Sequence, residues 1–307
     1  MKKLIPLLLL PLLLLLTAGR PPRHTVFMIG DSTMADKSIA DSALERGWGM
    51  MLAGFFTDDI AVSNHAVNGR SSKSFLDEGR WEPVREQLKP GDYVVIQFGH
   101  NDEKPKADRH TDPGTTFDDY LRLYCRETLE RGATPILMNA IVRRHFVGDT
   151  LTDTHGAYLD SPRRVAEELG VPFVDANRIT HDLVQGLGDE PSKKLFMHIA
   201  PGTNRAVPKG RADDTHLNIH GGRVVAGLLV DAMAAVCPEL KPSVRHYDYV
   251  VDAEGRGDFF SLQQALDAMS DTMPAVTVTL LLRAGVYDNK VMPTKEIILQ
   301  APNPVIP

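Results

Sequence analysis

The sequence predicts an α/β domain built on a parallel sheet, because short apolar runs of strand length alternate with longer segments of helical periodicity. Five such runs and three helical segments follow the N-terminal leucine-rich stretch. Parallel strands present their carboxyl ends at one edge of the sheet, where α/β domains bind ligands. The polar residues that follow the strands are therefore the candidates for a functional site.

The five predicted strands are short and mostly apolar. They comprise residues 25–29, 60–62, 93–98, 134–138 and 171–174. Gly30 and Gly99 stop the first and third of them, since a glycine after an apolar run interrupts the strand pattern. Asp31, Ser32 and residues 99–102 are therefore expected at the carboxyl edge of the sheet.

The three predicted helices comprise residues 117–131, 161–169 and 222–236. Gly132 and Gly170 directly follow the first two, in the position where a left-handed residue often ends a helix. Pro162 lies in the first turn of the second helix, where its missing N–H is tolerated. Pro238 ends the third, because proline cannot continue a helix.

The first 19 residues have the pattern of a secretory signal peptide. Lys2 and Lys3 precede an almost unbroken leucine run over residues 4–16, and small residues follow at 17–19. The apolar run is shorter than the ~20 residues that span a bilayer, which makes an uncleaved anchor the weaker alternative. We expect an exported protein, periplasmic or extracellular, without membrane contact after the signal is removed.

Composition narrows the function classes. Lys and Arg total 34 against 40 Asp and Glu, a formal net charge of -6, which argues against a general nucleic-acid binder. Hydrophobic residues make up 43% of the chain, enough for a sizeable core. Two cysteines, Cys125 and Cys237, are too few for a disulfide framework or a four-cysteine metal site, and the sequence leaves open whether they pair.

Three polar residues carry the side chains of nucleophilic catalysis. Ser32, at the end of a strand, can project its hydroxyl into a cleft. His216 can serve as its general base, because a histidine has an unperturbed pKa of about 6.5. Asp213 can turn back to hold the other ring nitrogen, and Asp214 is the competing choice. A metal site that includes His220 lacks further ligands.

Two further residues can stabilise a developing oxyanion. Gly69 can present its backbone N–H because no side chain blocks the approach, and Asn101 can donate from its amide. One such hydrogen bond is worth ~3–4 kcal/mol in acyl transfer. The alternative for each is an ordinary turn or cap.

Together these segments resemble the SGNH, or GDSL-type, hydrolase family. In that family serine, glycine, asparagine and histidine follow in this chain order from four blocks, here Ser32, Gly69, Asn101 and His216. The first block, Gly-Asp-Ser-Thr, is similar to the rhamnogalacturonan acetylesterase branch. Further segments with that similarity are residues 68–72, 78–81, 89–93, 97–102, 111–114, 143–144, 153–156 and 214–216.

The resemblance implies a flavodoxin-like three-layer α/β/α sandwich and a Ser32–His216–Asp213 triad. It also implies an oxyanion hole of the Ser32 and Gly69 N–H groups with the Asn101 amide, and no metal or organic cofactor. The implied reaction is hydrolysis of acetyl esters on a pectic polysaccharide. A broader carbohydrate or lipid acyl esterase and a non-catalytic carbohydrate-binding protein are the alternatives, since one fold hosts many functions.

A pectic substrate carries galacturonate carboxylates, which guanidinium groups bind in bidentate fashion. The candidate substrate-binding residues are Arg70, Arg80, Arg143 and Arg144. Net acidic charge does not exclude such a ligand, because the local field governs binding.

The pattern changes near Lys241, where strand-like runs and turns replace the βα alternation. Residues 249–259, 263–267 and 283–287 resemble the opening of a pectin methylesterase, which implies the start of a right-handed parallel β-helix. The catalytic aspartates of those enzymes lie beyond the part present here, so we expect a truncated unit without its own activity. The predicted organisation is a signal peptide at 1–19, the hydrolase domain at 20–240 and this unit at 245–307.

Overall fold

The computed structural model describes residues 22–270, 278–283 and 297–300. Its strands are β1 His24–Gly30, β2 Ile60–Asn64, β3 Tyr93–Gln97, β4 Thr134–Met138, β5 Phe146–Val147, β6 Thr150–Leu151, β7 Phe173–Val174, β8 Tyr249–Val251, β9 Val278–Leu282 and β10 Ile297–Gln300. Its α-helices are α1 Trp48–Leu52, α2 Ser72–Asp77, α3 Glu82–Gln87, α4 Thr116–Glu130, α5 Asp160–Leu169, α6 Ala176–Leu187, α7 Asp189–Ser192, α8 Ile219–Val236 and α9 Leu262–Ser270. The predicted signal peptide lies outside the described residues.

The main sheet has five parallel strands in the order β2-β1-β3-β4-β7. Successive side chains of a strand point to opposite faces. In β1, Val26 and Met28 enter one buried cluster, while Phe27 and Ile29 enter the other. Both faces of the sheet are therefore buried, as expected for parallel strands.

Helices cover the two faces. Trp48 of α1 and Leu229 of α8 pack on one side, and Phe75 of α2, Leu121 of α4 and Val165 of α5 pack on the other. Helix α8 is long and apolar enough to cross a membrane by length and composition, but half of it is buried in this core. The three-layer α/β/α arrangement with a parallel central sheet confirms the fold class predicted for residues 20–240.

All five predicted strands and all three predicted helices of this domain are present; the ends of β4 are as predicted, and each other element differs at one end or both. Strand β7 is shorter than predicted, and Pro172 before it has no N–H for the ladder. Helix α8 begins three residues earlier than predicted, because the Asn218 side chain accepts the Gly221 N–H at 2.9 Å and caps it. Helix α6 was not predicted, although its cap Asp175 accepts the Arg178 N–H.

The two cysteines lie on opposite faces of the sheet. Cys125 belongs to the buried cluster under α4, and Cys237 belongs to the cluster under α8. Both thiols are free. The sheet between them prevents a disulfide, which settles the pairing that the sequence left open.

The C-terminal residues form a second sheet that packs on the main domain. Its parallel strands are ordered β10-β9-β8. The buried Arg46 donates from Nε to Gly255 O at 2.9 Å. Arg223 lies over the Phe55 ring at 3.8 Å and pairs with Asp258 at 3.3 Å. The two parts therefore share buried charged contacts.

Candidate active site

Ser32 lies at the carboxyl edge of the main sheet, directly after β1. The chain makes a single helical turn there, in which Met34 and Ala35 donate their N–H groups to Asp31 O at 3.2 and 3.0 Å. Gly30 permits the close approach of β3, since a Cβ at this position would lie 2.6 Å from Gln97 O. The turn leaves the Ser32 side chain partly exposed.

The structure brings Ser32, His216 and Asp213 together. His216 Nε2 lies 3.0 Å from Ser32 Oγ, and His216 Nδ1 lies 2.9 Å from Asp213 Oδ2. Asp213 Oδ1 accepts the backbone N–H groups of Thr215 and His216 at 2.8 and 2.9 Å, so its own turn fixes it. When Nδ1 donates to Asp213, Nε2 is free to accept the Ser32 proton.

Arg211 is a member of this cluster that the sequence analysis missed. Its Nε donates to Asp213 Oδ2 at 3.1 Å, and its Nη2 lies 3.3 Å from His216 Nδ1. Burial raises the pKa of Asp213, but hydrogen bonds from His216, Thr215 and Arg211 hold that pKa well below its usual range. Asp213 is therefore anionic over the working pH range.

Asp214, the competing carboxylate, faces away from this cluster. Its Oδ1 binds His198 Nε2 at 2.8 Å and accepts from Arg144 Nη1 at 2.6 Å. The geometry therefore favours Asp213 as the partner of His216.

The predicted oxyanion donors lie on two loops beside this edge. Val67 donates its N–H to Gly30 O at 3.0 Å, which holds the loop containing Gly69 against the end of β1. Gly69 has φ 76, a left-handed conformation that favours glycine. Asn101 Nδ2 donates to Arg70 O at 3.2 Å and so lies against the same loop. Within the described part of the chain, no protein acceptor takes the N–H of Ser32 or Gly69.

Asp102 fastens these two loops to each other. It is fully buried and accepts the Gly99 N–H at 3.0 Å, the Ser72 N–H at 3.0 Å and the Ser72 hydroxyl at 2.5 Å. Thr111 Oγ1 donates to it at 3.0 Å. Burial raises the pKa of Asp102 to about 7 against the opposing effect of these hydrogen bonds.

A second buried acid, Asp31, lies under the site beside His100. His100 Nδ1 is 3.3 Å from Asp31 Oδ2. Burial lowers the pKa of His100 to about 4, and the attraction of Asp31 opposes this only in part. Burial alone would raise the pKa of Asp31, but His100 and two hydrogen bonds from Thr33 lower it to about 2. At neutral pH the pair is an anion beside an uncharged imidazole.

The four candidate substrate-binding arginines differ in exposure. Arg70 and Arg80 are partly exposed and share the carboxylate of Glu78, with Nε distances of 3.0 and 2.5 Å. Arg143 bonds to Glu103 and is mostly buried. The Arg144 side chain is 6% exposed and all its nitrogens donate to protein atoms, which favours a structural role for it.

Comparisons with known proteins show the family of the chain. Residues 28–224 match the GDSL-like Lipase/Acylhydrolase family. The chain is 36% identical over 232 residues to "Rhamnogalacturonan acetylesterase RhgT" of Bacillus subtilis (strain 168), covering 75% of this chain and 96% of that protein. It is 29% identical over 230 residues to "Rhamnogalacturonan acetylesterase" of Emericella nidulans, covering 68% and 84%. The crystal structure of Bacillus subtilis YxiM superposes with a TM-score of 0.59 and 26% identity, covering 69% of this chain and 56% of that one.

Proposed function

Because the chain belongs to the GDSL-like lipase/acylhydrolase family, we propose that it is an acetylesterase that removes acetyl groups from a pectic polysaccharide of the rhamnogalacturonan type. Two relatives named for this activity align with this chain over most of their length. The observation that carries the proposal is the contact of Ser32 Oγ with His216 Nε2 at 3.0 Å, with Asp213 bound behind the imidazole at 2.9 Å.

In the proposed reaction, Ser32 gives its proton to His216 and attacks the acetyl carbonyl. The Ser32 and Gly69 N–H groups and the free proton of the Asn101 amide bind the oxyanion. His216 then protonates the departing sugar oxygen, which leaves as a hydroxyl group, and the acetyl group remains on Ser32. Water next gives a proton to His216 and attacks the acetyl carbonyl, and His216 returns the proton to Ser32 Oγ as acetate leaves.

Asp213 orients the base in this reaction. It selects the tautomer with the proton on Nδ1 and stabilises the imidazolium that forms. Arg211 keeps Asp213 ionised, but its own positive charge lies close to the imidazolium. The two neighbours of His216 therefore place opposite charges beside the imidazolium.

The alternative of a lipid acyl esterase is less well supported by the comparisons, because two relatives that this chain covers over most of their length are named rhamnogalacturonan acetylesterases. A cavity of about 260 Å³ beside Asn68 has a mixed lining, in which Lys37 and Arg211 both pair with Glu45 and the apolar side chains include Leu44 and Val207. A non-catalytic binding protein has no need of a serine hydroxyl in contact with a histidine.

Acetate release tests the proposal. We expect release from acetylated rhamnogalacturonan, and faster hydrolysis of p-nitrophenyl acetate than of its long-chain esters. A preference for long acyl chains would support the lipid alternative. Release of no acetate from any polysaccharide by the folded protein would contradict the proposal.

We also propose that residues 245–307 begin a pectin methylesterase-like β-helix and that residues 1–19 direct export. The parallel pairing of β8 with β9 and of β9 with β10 supports the first point, because β-helix coils stack their strands in parallel. N-terminal sequencing of the exported protein tests the second point, with a start near residue 20 as the expected result.

A further inference from the structure

A cavity of about 410 Å³ is bordered by Gly69. Three cationic and three acidic side chains line it, namely Arg70, Lys73, Arg109, Asp77, Glu78 and Asp108. Because Gly69 is also a proposed oxyanion donor, the cavity adjoins the proposed site of the acetyl ester.

Some charged side chains of this cavity have an ion-pair partner and others do not. Arg70 bonds Glu78 through its Nε at 3.0 and 3.1 Å. Lys73 Nζ donates to Ala107 O at 2.8 Å, and no carboxylate of the described residues lies within ion-pair distance of it. Lys73 therefore keeps an uncompensated positive charge at the cavity wall.

Arg109 also keeps a free donor. It contacts the exposed carboxylate of its neighbour Asp108 through Nε and Nη2, at 3.3 and 3.5 Å. Its Nη1 has no protein acceptor within the described ranges, and it lies 3.9 Å from where a Cβ on Gly69 would be. The guanidinium thus borders the proposed oxyanion turn with an N–H group available.

The loop that carries Arg109 is held in place before any ligand arrives. Thr111 donates its N–H to Asp102 O at 3.1 Å, which closes the loop at its base. The Tyr158 hydroxyl donates to Asp102 O at 3.3 Å and also to Thr111 O. The bond from Lys73 to Ala107 O fixes the tip. A preorganised pair of cations loses little entropy when it binds an anion.

We propose that Lys73 and Arg109 form a subsite that binds a galacturonate carboxylate of the polysaccharide whose acetyl ester lies at Ser32. The inference rests on the proposed function, since it concerns the substrate of the same site. Ammonium and guanidinium groups bind carboxylates through charge-assisted hydrogen bonds. Asp77 and Asp108 are exposed, so water and salt screen their repulsion of the ligand. A neutral polysaccharide has no group for this subsite.

The test compares two polymers of equal acetyl content, acetylated rhamnogalacturonan and the same polymer with its carboxylates reduced to alcohols. The readout is the ratio of kcat/KM for the acidic polymer to kcat/KM for the reduced one. We expect Lys73→Gln and Arg109→Gln each to lower this ratio about three- to fivefold, mainly through KM, as partly exposed ion pairs do. Salt should lower the wild-type ratio and have little effect on the double variant.

Two further variants serve as controls. Lys73→Arg keeps the charge and should retain most of the ratio. Arg126→Gln removes an exposed charge of α4 that lies 3.9 Å from Glu168, and it should leave the ratio unchanged. Both are compared with the wild type by circular dichroism.

The outcomes separate the two proposals. Failure of the wild type to release acetate from either polymer overturns the proposed function. Acetate release from both polymers with equal kcat/KM overturns the subsite while the esterase activity stands. A wild-type preference for the acidic polymer that persists in the folded double variant overturns the assignment to Lys73 and Arg109.

Discussion

The pH dependence of the esterase should depend on Arg211, whose guanidinium lies beside the imidazole of His216. Nη2 and Nδ1 are 3.3 Å apart, so the arginine opposes the protonation of the base. Arg211→Gln removes this charge and leaves the carboxylates of Asp213 and Glu45 to interact with the imidazolium. Activity should then be lost at a higher pH than in the wild type.

The size of this effect follows from the distance. Coulomb's law at 3.3 Å gives about 1.3 kcal/mol in bulk water and about 5 kcal/mol at an effective dielectric constant of ~20. The Arg211 side chain is 29% exposed and also pairs with Glu45, which favours the lower part of this range. Since about 1.4 kcal/mol corresponds to one pH unit, we expect the acid limb of the activity profile to shift by about one pH unit.

The assay is kcat/KM for p-nitrophenyl acetate measured between acid and alkaline pH. The acid limb of the Arg211→Gln profile should move about one unit toward higher pH. Arg205→Gln is the matched control, because Arg205 is exposed in the same loop and makes no ion pair within the described residues. An acid limb that stays in place, or that moves to lower pH, would refute the reasoning.

Three further outcomes are expected. Asp213→Asn should reduce kcat by ~10³–10⁴-fold, because the imidazole then adopts the wrong tautomer. Asp214→Asn should keep kcat within a few fold of the wild-type value, and equal losses in the two variants would contradict the choice of Asp213. Asp102 has its pKa raised from 3.8 to about 7 in the fold, so the unfolded chain releases this proton first and stability should fall as pH rises from about 4 to 7. Relative to Asp102→Asn, the wild type should lose about 4 kcal/mol of unfolding free energy between about pH 4 and pH 7. An equal change in the unfolding free energy of both proteins over this window would contradict the prediction. Deletion of residues 245–307 should lower the unfolding free energy by about 3–6 kcal/mol, because Arg46 and Arg223 lose charged hydrogen bonds of about 1.5–3 kcal/mol each. The kcat/KM of the folded remainder should stay unchanged. An unaltered denaturation midpoint would show that these contacts do not stabilise the fold.

The parts of the fold that the sequence predicts are those with strong local signals. The strands that stop at Gly30 and Gly99 are continuous apolar runs, and the helix that stops at Gly170 has several turns of periodic pattern. Helices α2 and α3 have six residues each, too few for the periodicity to repeat. Helix α6 had both a capping residue and periodic apolar positions, so it was within reach of the same reasoning.

In the candidate site, too, some contacts can be predicted from the sequence and others cannot. The contact between His216 and Asp213 is local, since three residues separate them, and the chain order of the motifs links both to Ser32. The positions of Asp102 and Lys73 depend on tertiary structure. Arg211 lies two residues before Asp213 and five before His216, so its contacts with these two residues are also local. Its ion pair with Glu45 joins residues far apart in sequence, and no local pattern marks it. Arg144 is the opposite case: its guanidinium group suits the binding of a carboxylate, but the fold buries it.

The central claim is that Ser32 is the nucleophile of an acetylesterase. Its most direct test is the rate of acetate release from acetylated rhamnogalacturonan by Ser32→Ala, with the fold checked by circular dichroism. We predict a loss of at least ~10⁴-fold, as removal of the nucleophile produces in other serine hydrolases. Acetate release within tenfold of the wild-type rate by the folded variant would contradict the account.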